Sequence, residues 1–222
     1  MGFDRLAAPY AVLESLAFQG ALQRARTEDL DALSGARRAL ILGEGDGRFL
    51  EALARRRRAS DARTPLAIDV VESSAAMRER TRRRLPDPAA PGLELRWIEE
   101  DARGFRPEAD AYDVIVTHFF LDCFTAATLD ELVPRLAGGL REGGTWTIAD
   151  FRMPASGFGR VHAAAWLAVL HAFFRRTAGI EARRLTDPAT FLSLAGLRLE
   201  ARRTWRAGLV AAERWRAGRG RV

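Results

Sequence analysis

Short apolar runs alternate along the chain with segments whose apolar residues recur at helical spacing. The compact runs are bounded by glycine, proline or charged residues and predict buried strands. They lie at residues 39–42, 66–71, 93–98, 112–117, 145–151, 197–205 and 209–215. Helical spacing predicts helices within residues 3–26, 49–54, 74–85, 127–140, 154–180 and 187–195, with short turns at 30–33 and 143–144.

The order of these elements favours a single α/β domain with a doubly wound, Rossmann-like sheet of seven strands. The last two strands are joined through Arg206-Ala207-Gly208 and are predicted to form an antiparallel pair. In this interpretation the domain spans residues 1–222. Residues 1–35 form an N-terminal helical cover, 36–152 the ligand-binding core, and 153–222 a helical lid with the closing hairpin. Asp187 is predicted to cap the helix that starts at Pro188.

Composition narrows the class of protein. All 35 basic residues are arginine and the net charge is +6, which keeps a nucleic acid or an acidic substrate under consideration. The single Cys123 excludes an intramolecular disulfide and a multi-cysteine metal site. No apolar run approaches the ~20 residues of a membrane span, and the N-terminus lacks the apolar core of a signal peptide. We therefore expect a cytoplasmic protein.

The strongest chemical feature is the glycine loop, residues Gly43 to Gly47, with the sequence Gly-Glu-Gly-Asp-Gly. It follows the first predicted strand and precedes a helix, at the edge where open α/β sheets bind ligands. Glycine tolerates positive φ and allows a ligand to approach the backbone closely. A pyrophosphate site would have the spacing Gly-x-Gly-x-x-Gly. Here Glu44 and Asp46 place two carboxylates beside the glycines, which favours a sulfonium and an ammonium over a phosphate.

Acidic residues also follow the next two strands. Glu72 comes at the end of the second strand, where a carboxylate can accept hydrogen bonds from both hydroxyls of a ribose. Asp69 competes for this role but falls inside the strand. Asp101 follows the third strand and can receive the amino group of an adenine ring, or serve as a turn residue or helix cap.

With these elements in place, the chain resembles the class I S-adenosylmethionine-dependent methyltransferases. The matching elements occur in family order, at residues 42–47, 72–77, 100–102, 112–116 and 140–145. The resemblance implies seven strands with the last antiparallel, S-adenosylmethionine as cofactor, and transfer of its methyl group. The cofactor contacts that it implies are Gly43, Glu44, Gly45, Gly47, Glu72, Ser73, Met77, Asp101, Ala102 and Thr117.

One position departs from the family pattern. The family usually has an acid two residues before the first glycine, and this chain has Ile41, so the role of that acid passes to Glu44 or is lost. The loop is also similar to the aminopropyltransferase (spermidine synthase) motif. Those enzymes carry a catalytic aspartate and an Asp-Pro pair after the fourth strand, which residues 117–124 lack.

The segment after the fourth strand bears on the methyl acceptor. It is similar to that of small-molecule methyltransferases of ubiquinone and menaquinone biosynthesis. Neither the Pro-Pro motif of base-amine methyltransferases nor the Pro-Cys nucleophile of cytosine methyltransferases is present, since Cys123 follows Asp122. Nucleic acid is therefore disfavoured. Aromatic residues in the predicted cover and lid indicate an apolar or ring-shaped acceptor. They are Phe3, Tyr10, Phe18, Phe158, Trp166, Phe173 and Phe174.

Two side chains are candidates for catalysis. His118 could accept a proton from a hydroxyl or amine, or only pack against the cofactor. Asp122 could orient His118 or cap the next helix, and Asp150 ends the fifth strand facing the pocket or the following loop. The three histidines make no recognised metal spacing, and no metal is expected. The alternatives are a non-catalytic cofactor-binding protein, an aminopropyltransferase and a nucleic-acid methyltransferase.

Overall fold

Seven strands form one mixed sheet, as the apolar pattern predicts. The computed structural model describes residues 20–60, 64–85, 90–153 and 185–218. The strands are β1 (Arg38–Leu42), β2 (Leu66–Val71), β3 (Leu93–Ile98), β4 (Tyr112–His118), β5 (Leu140–Phe151), β6 (Leu197–Trp205) and β7 (Val210–Ala217). Their order is β3-β2-β1-β4-β5-β7-β6. Strands β1 to β5 are parallel, and β7 pairs antiparallel with β5 and with β6.

The described residues form five α-helices, and the second, third and fourth of them connect parallel strands. They are α1 (Ala21–Thr27), α2 (Arg48–Ala59), α3 (Ala75–Arg84), α4 (Ala126–Ala137) and α5 (Ala189–Leu194). Two short 3-10 helices lie at Leu30–Leu33 and Leu121–Cys123. None of the described helices is long and apolar enough to span a membrane.

Strand β1 is buried on both faces, which explains why its sequence is uniformly apolar. Leu40 and Leu42 pack in a cluster with α4, whereas Ala39 and Ile41 pack in a second cluster with α2. The sheet is therefore covered on both sides. Burial of each large aliphatic side chain in these clusters contributes about 1.5–3 kcal/mol.

Two boundaries differ from the sequence prediction. Helix α4 ends at Ala137 rather than at residue 140, and β5 already begins at Leu140. A Cβ on Gly139 would lie 2.7 Å from the ring of Pro107, so this close approach requires glycine. The predicted turn at 143–144 is part of a bulge in β5, because Tyr112 pairs with Leu140 but the next pair joins Val114 to Thr145.

The cap of α5 is displaced by one residue from its predicted place. Pro188 occupies the capping position and the helix begins at Ala189. The Asp187 carboxylate nevertheless accepts a hydrogen bond of 3.0 Å from the backbone N–H of Ala189. Residues 3–19 of the helices predicted within 3–26, and all of the helical stretch predicted within 154–180, lie outside the described residues, as do the seven aromatic residues assigned to the cover and lid.

Candidate functional site

The carboxyl ends of β1, β2, β4 and β5 bring the predicted site residues to one edge of the sheet. The parallel register pairs Leu42 with Val71 and with Thr117, and His118 with Ala149. The glycine loop after β1, Glu72 after β2, the segment after β4 and Asp150 of β5 therefore lie side by side. The chain order alone does not reveal this proximity.

The three glycines of the loop all have positive φ but serve different contacts. A Cβ on Gly47 would lie 2.8 Å from Thr81 Cα, so Gly47 allows α2 and α3 to approach each other. A Cβ on Gly43 would lie 2.3 Å from the ring of Phe120. Gly45 meets only a carbonyl oxygen at 4.0 Å. Of the three, Gly45 presents the open face to which a ligand can come close.

Glu44 caps the helix that follows the loop. Its Oε1 accepts hydrogen bonds from the backbone N–H groups of Phe49 and Leu50, at 3.1 and 3.0 Å, in the first turn of α2. Burial raises the pKa of Glu44 to about 8. Ile41, at the family's acid position, is only 1% exposed and lies in the core against α2. Glu44 therefore helps to organise the glycine loop by binding the first turn of α2.

The second carboxylate of the loop is neutralised. Asp46 forms ion pairs with Arg48 at 2.9 Å and with Arg84 at 3.2 Å. The expectation that Asp46 presents a free negative charge to a cationic ligand is therefore wrong. Its ion pair with Arg84 ties the glycine loop to the end of α3.

Glu72 links the end of β2 to the glycine loop. Its Oε2 accepts from Gly45 N–H at 3.4 Å and its Oε1 from Ser74 N–H at 2.9 Å. Burial raises its pKa, although both hydrogen bonds favour the charged form. The charge of Arg78 also favours the ionised form, but Glu72 forms no ion pair among the described residues, and the residue as a whole is partly exposed. Glu72 therefore offers a carboxylate directly beside the open face of Gly45.

The competing acid, Asp69, is committed to the fold. Arg96 binds it through two hydrogen bonds of 2.6 and 2.8 Å, and the Tyr112 hydroxyl donates to it at 2.7 Å. Burial opposes its ionisation, but the hydrogen bonds from Arg96 and Tyr112 together lower its pKa. The preference for Glu72 over Asp69 as a ligand-facing acid agrees with this geometry.

The remaining predicted cofactor contacts differ in their exposure. Ser73 is exposed, Met77 is half-buried and donates its N–H to the Ser74 hydroxyl, and Ala102 is buried. Asp101 is exposed and forms an ion pair with Arg103 at 2.5 Å. Its Oδ1 also accepts from Arg103 N–H at 2.9 Å, so Asp101 has the turn role considered above.

The Thr117 side chain lies in the core of the domain. Its side chain is fully buried, and its hydroxyl accepts a hydrogen bond of 2.9 Å from the indole N–H of Trp146. Trp146 is itself fully buried in the core. The hydroxyl therefore serves a core hydrogen bond, and the cofactor contact of Thr117 stays a prediction.

His118 lies against the start of α2. Its ring packs edge-on against Phe49, with 4.7 Å between ring centroids. Burial, reinforced by the charge of Arg26, lowers the pKa of His118 to about 3. Its Nδ1 is buried without a hydrogen-bond partner among the described residues. The sequence argument assumed a pKa near neutrality, and this environment makes His118 a weak base.

Among the described contacts, Asp122 neither binds His118 nor caps α4. Thr125 caps α4 by accepting from Thr128 N–H, so the predicted capping by Asp122 is wrong. Among the described contacts, Asp122 accepts from the Cys123 thiol at 3.5 Å. Asp150 accepts from Phe120 N–H at 3.1 Å. Asp150 therefore bonds the loop that follows β4.

The sequence analysis did not single out Arg26. It lies in α1, and its guanidinium stacks over the Phe119 ring at 4.6 Å from the centroid. Its charge opposes the burial-driven rise in the pKa of Glu44 and adds to the fall in the pKa of His118. Arg26 therefore adds a positive charge to this edge of the sheet. Among 35 arginines dispersed along the chain, no local pattern distinguishes it.

Comparison with known proteins supports the same fold and chemistry. Residues 39–144 match the protein family described as a methyltransferase domain. No curated protein sequence matches the chain. An O-methyltransferase family protein from Burkholderia thailandensis is similar in structure, with a TM-score of 0.64 and 21% identity over 91% of this chain and 57% of that one.

Two further structures have the same fold. The N-methyltransferase NodS from Bradyrhizobium japonicum matches with a TM-score of 0.57 and 17% identity, covering 89% of this chain and 97% of that one. The mitomycin 7-O-methyltransferase MmcR matches with a TM-score of 0.61 and 20% identity, covering 89% of this chain and 54% of that one. The chain thus spans little more than half the length of the two O-methyltransferases.

Proposed function

Since residues 39–144 are a methyltransferase domain of the class I, S-adenosylmethionine-dependent type, we propose that the chain binds S-adenosylmethionine beside Gly45 and Glu72 and methylates a small molecule. The position of Glu72 carries this proposal. Its carboxylate is fixed by two backbone N–H groups, one of them from the glycine loop. The fixed orientation leaves its remaining lone pairs available to accept from two neighbouring hydroxyls, as a ribose presents.

The fit of the cofactor rests on two local features. Gly45 has an open face, and the Glu72 carboxylate beside it forms no ion pair among the described salt bridges, although the charge of Arg78 favours its ionised form. A phosphate-bearing ligand would be repelled by this carboxylate, whereas the hydroxyls of a neutral ribose would donate hydrogen bonds to it. S-adenosylmethionine supplies an electrophilic methyl group when bound. The contacts of Ser73, Met77, Asp101 and Ala102 with the cofactor stay predictions.

A small-molecule acceptor agrees with the segment after β4, which lacks the motifs that base-modifying enzymes require. It also agrees with the names of the structural relatives, one of which is a mitomycin 7-O-methyltransferase. NodS has in addition been solved with S-adenosyl-L-homocysteine, the demethylated form of the cofactor. The similarity to ubiquinone and menaquinone methyltransferases stays a prediction about the acceptor.

Isothermal calorimetry with S-adenosylmethionine and S-adenosylhomocysteine tests cofactor binding. Glu72→Gln should weaken binding by about 10- to 100-fold, the usual cost of losing a hydrogen bond to a charged group. Glu79→Gln is the matched control, because Glu79 is exposed on α3 and pairs only with Arg83 among the described ion pairs. Wild-type protein that binds neither compound would contradict the proposal.

Acceptor class is tested by following S-adenosylhomocysteine formation with separate pools of phenols, amines, carboxylic acids, tRNA and duplex DNA. We expect turnover with a small-molecule pool. Turnover confined to the nucleic acids would overturn the small-molecule part alone. Cofactor binding without turnover in any pool would indicate the non-catalytic alternative. Formation of methylthioadenosine, without S-adenosylhomocysteine, from decarboxylated S-adenosylmethionine and putrescine would indicate aminopropyl transfer.

A further inference from the structure

Helix α3 buries polar side chains against the two predicted cofactor loops. Of its ten residues, only Arg78 and Thr81 are buried, with 5% and 0% of their surface exposed. The Thr81 hydroxyl donates to the carbonyl oxygen of Gly45 at 3.0 Å, and Arg78 binds the turn that follows β2. Apolar packing therefore does not account for the inward face of this helix, whose buried residues hold the backbone of both loops.

The Arg78 guanidinium joins the ends of two strands. Its Nη1 donates to the carbonyl oxygens of Glu72 and Ser73, at 2.7 and 3.1 Å, just beyond β2. Its Nη2 forms an ion pair of 2.7 Å with Glu99, the residue that follows β3. One side chain thus holds the turn that carries the predicted ribose-binding acid and ties this turn to the neighbouring strand.

These contacts fix the direction of the Glu72 side chain. The N–H of Glu72 donates to the carbonyl oxygen of Ile98 in β3 at 3.1 Å, which holds the peptide before the Glu72 Cα. Arg78 holds the peptide after it through the Glu72 carbonyl. Because planar peptides leave only φ and ψ free, holding both flanking peptides sets the direction of the bond from Cα to Cβ. The carboxylate is then directed at Gly45 N–H, from which it accepts at 3.4 Å.

Burial of the Arg78 guanidinium costs free energy that its contacts offset only in part. Its Nε is buried without a hydrogen-bond partner among the described residues. A buried charged group is destabilising unless its donors are satisfied. Methionine has a similar length and would fill the same space without this cost. Stability alone therefore does not explain an arginine at this position, whereas its contacts with the Glu72 turn do.

We propose that Arg78 is the positioning residue for ribose recognition: by holding the Glu72–Ser73 turn it directs the Glu72 carboxylate at a vicinal diol, so that the site selects a ribonucleoside over a deoxyribonucleoside. The inference rests on the proposed function, and Arg78 itself contacts neither cofactor nor acceptor in this role. A carboxylate accepts from two adjacent hydroxyls only when its lone pairs face both of them. Selectivity for ribose therefore reports on the direction of the carboxylate.

Calorimetry with S-adenosylhomocysteine and its 2′-deoxy analogue measures this selectivity. Wild-type protein should prefer the ribose form by about 10- to 100-fold, the usual cost of losing a hydrogen bond to a charged group. Arg78→Met should reduce the preference to about threefold or less, by weakening S-adenosylhomocysteine about tenfold or more and the analogue much less. Arg83→Met is the matched control and should keep the wild-type preference, because Arg83 is exposed on the same helix and pairs with Glu79.

Arg78→Lys separates the charge of Arg78 from its geometry, and it carries the test if Arg78→Met does not fold. Lysine keeps the positive charge, but its single ammonium group cannot hold both carbonyls and Glu99 as the planar guanidinium does. We expect a preference for ribose below that of wild type, in a protein that circular dichroism and urea denaturation show to be folded. A wild-type preference in Arg78→Lys would show that the charge alone is sufficient and would overturn the positioning role.

A double-mutant cycle tests whether Arg78 acts through Glu72. In a Glu72→Gln background the carboxylate is already absent, so Arg78→Lys should change the affinity for S-adenosylhomocysteine by less than about twofold. Losses that multiply, as they do for two independent residues, would overturn the inference.

The outcomes distinguish this inference from the proposed function. Equal weakening of both ligands by the Arg78 variants would show a general structural role. Equal binding of both ligands by wild-type protein would show that Glu72 does not recognise the 2′-hydroxyl. Either result overturns the role of Arg78 and leaves cofactor binding intact, whereas wild-type protein that binds neither ligand would overturn the proposed function and this inference with it.

Discussion

Adding one methyl group at Gly45 or at Gly47 should separate ligand binding from folding. Both residues have positive φ, 67° for Gly45 and 86° for Gly47, so alanine is strained at either position. This strain costs about 1–2 kcal/mol. At Gly47 the new Cβ would also lie 2.8 Å from both Thr81 Cα and Thr81 Cγ2, well inside the usual carbon–carbon contact of about 3.5–4.0 Å.

The clash at Gly47 adds the cost of overpacking, about 1–3 kcal/mol, because the atoms that must move include the backbone of α3. Gly47→Ala should therefore lower the free energy of unfolding by about 2–5 kcal/mol in total. Gly45→Ala should lower it by only about 1–2 kcal/mol, since the new methyl group meets no atom closer than a carbonyl oxygen at 4.0 Å. Urea denaturation followed by circular dichroism measures both values.

Cofactor binding should give the opposite order. A methyl group on the open face of Gly45 occupies space that the ligand needs, and we expect calorimetry to show at least a tenfold loss of S-adenosylhomocysteine affinity, about 1.4 kcal/mol. Gly47→Ala, measured under conditions where it is folded, should retain most of its affinity. Equal destabilisation by both variants, or full affinity in Gly45→Ala, would refute the assignment of separate roles to the two glycines.

Three further variants test roles of buried polar groups. Glu44→Gln should be stabilised relative to wild type as the pH rises from about 4.5 to about 8, because the folded state raises the pKa of Glu44 over that window. The full difference in the free energy of unfolding is at most about 5 kcal/mol. Thermal melts between pH 4 and 9 measure it, and a melting temperature that changes equally with pH in the two proteins would contradict the prediction. Asp69→Asn should cost about 2 kcal/mol at pH 7 without changing cofactor affinity. The deficit should shrink as the pH falls below about 3.8, since a lowered pKa gives stability that is lost as the pH falls through the folded value, and a deficit that stays constant with falling pH would argue against the ion pairs. Thr117→Val should cost about 1–3 kcal/mol by leaving the Trp146 indole N–H without its partner, and calorimetry that shows weakened cofactor binding instead would restore Thr117 to the site.

The sequence determined the strand order along the chain, the covering of the sheet on both faces and the place of the ligand edge. The apolar periodicity is sufficient because strands buried on both faces, such as β1, must be uniformly apolar. The closing hairpin was also predictable, since only three residues separate its two strands. The glycine loop and Glu72 followed from the same logic, as residues that end a parallel strand meet at one edge.

The state of each side chain was decided by tertiary contacts. Asp46, Asp69, Glu72 and Asp101 are all acids in or near the ligand edge strands, but Asp69 pairs with Arg96 of the next strand and Asp46 with the distant Arg84, whereas Asp101 pairs with the neighbouring Arg103. Arg84, for example, lies 38 positions from Asp46 in the chain. With 35 arginines in the sequence, no local pattern indicates which of them will pair with a given acid. The sequence therefore fixes which acids are available, and the fold selects among them.

The same distinction applies to proton chemistry. The sequence identified His118 and Asp122 as titratable groups after β4, with their ordinary pKa values. Burial lowers the pKa of His118 to about 3 and raises that of Asp122 to about 6. Both shifts arise mainly from desolvation, so only the folded sheet, which places the ends of β4 and β5 side by side, could establish them.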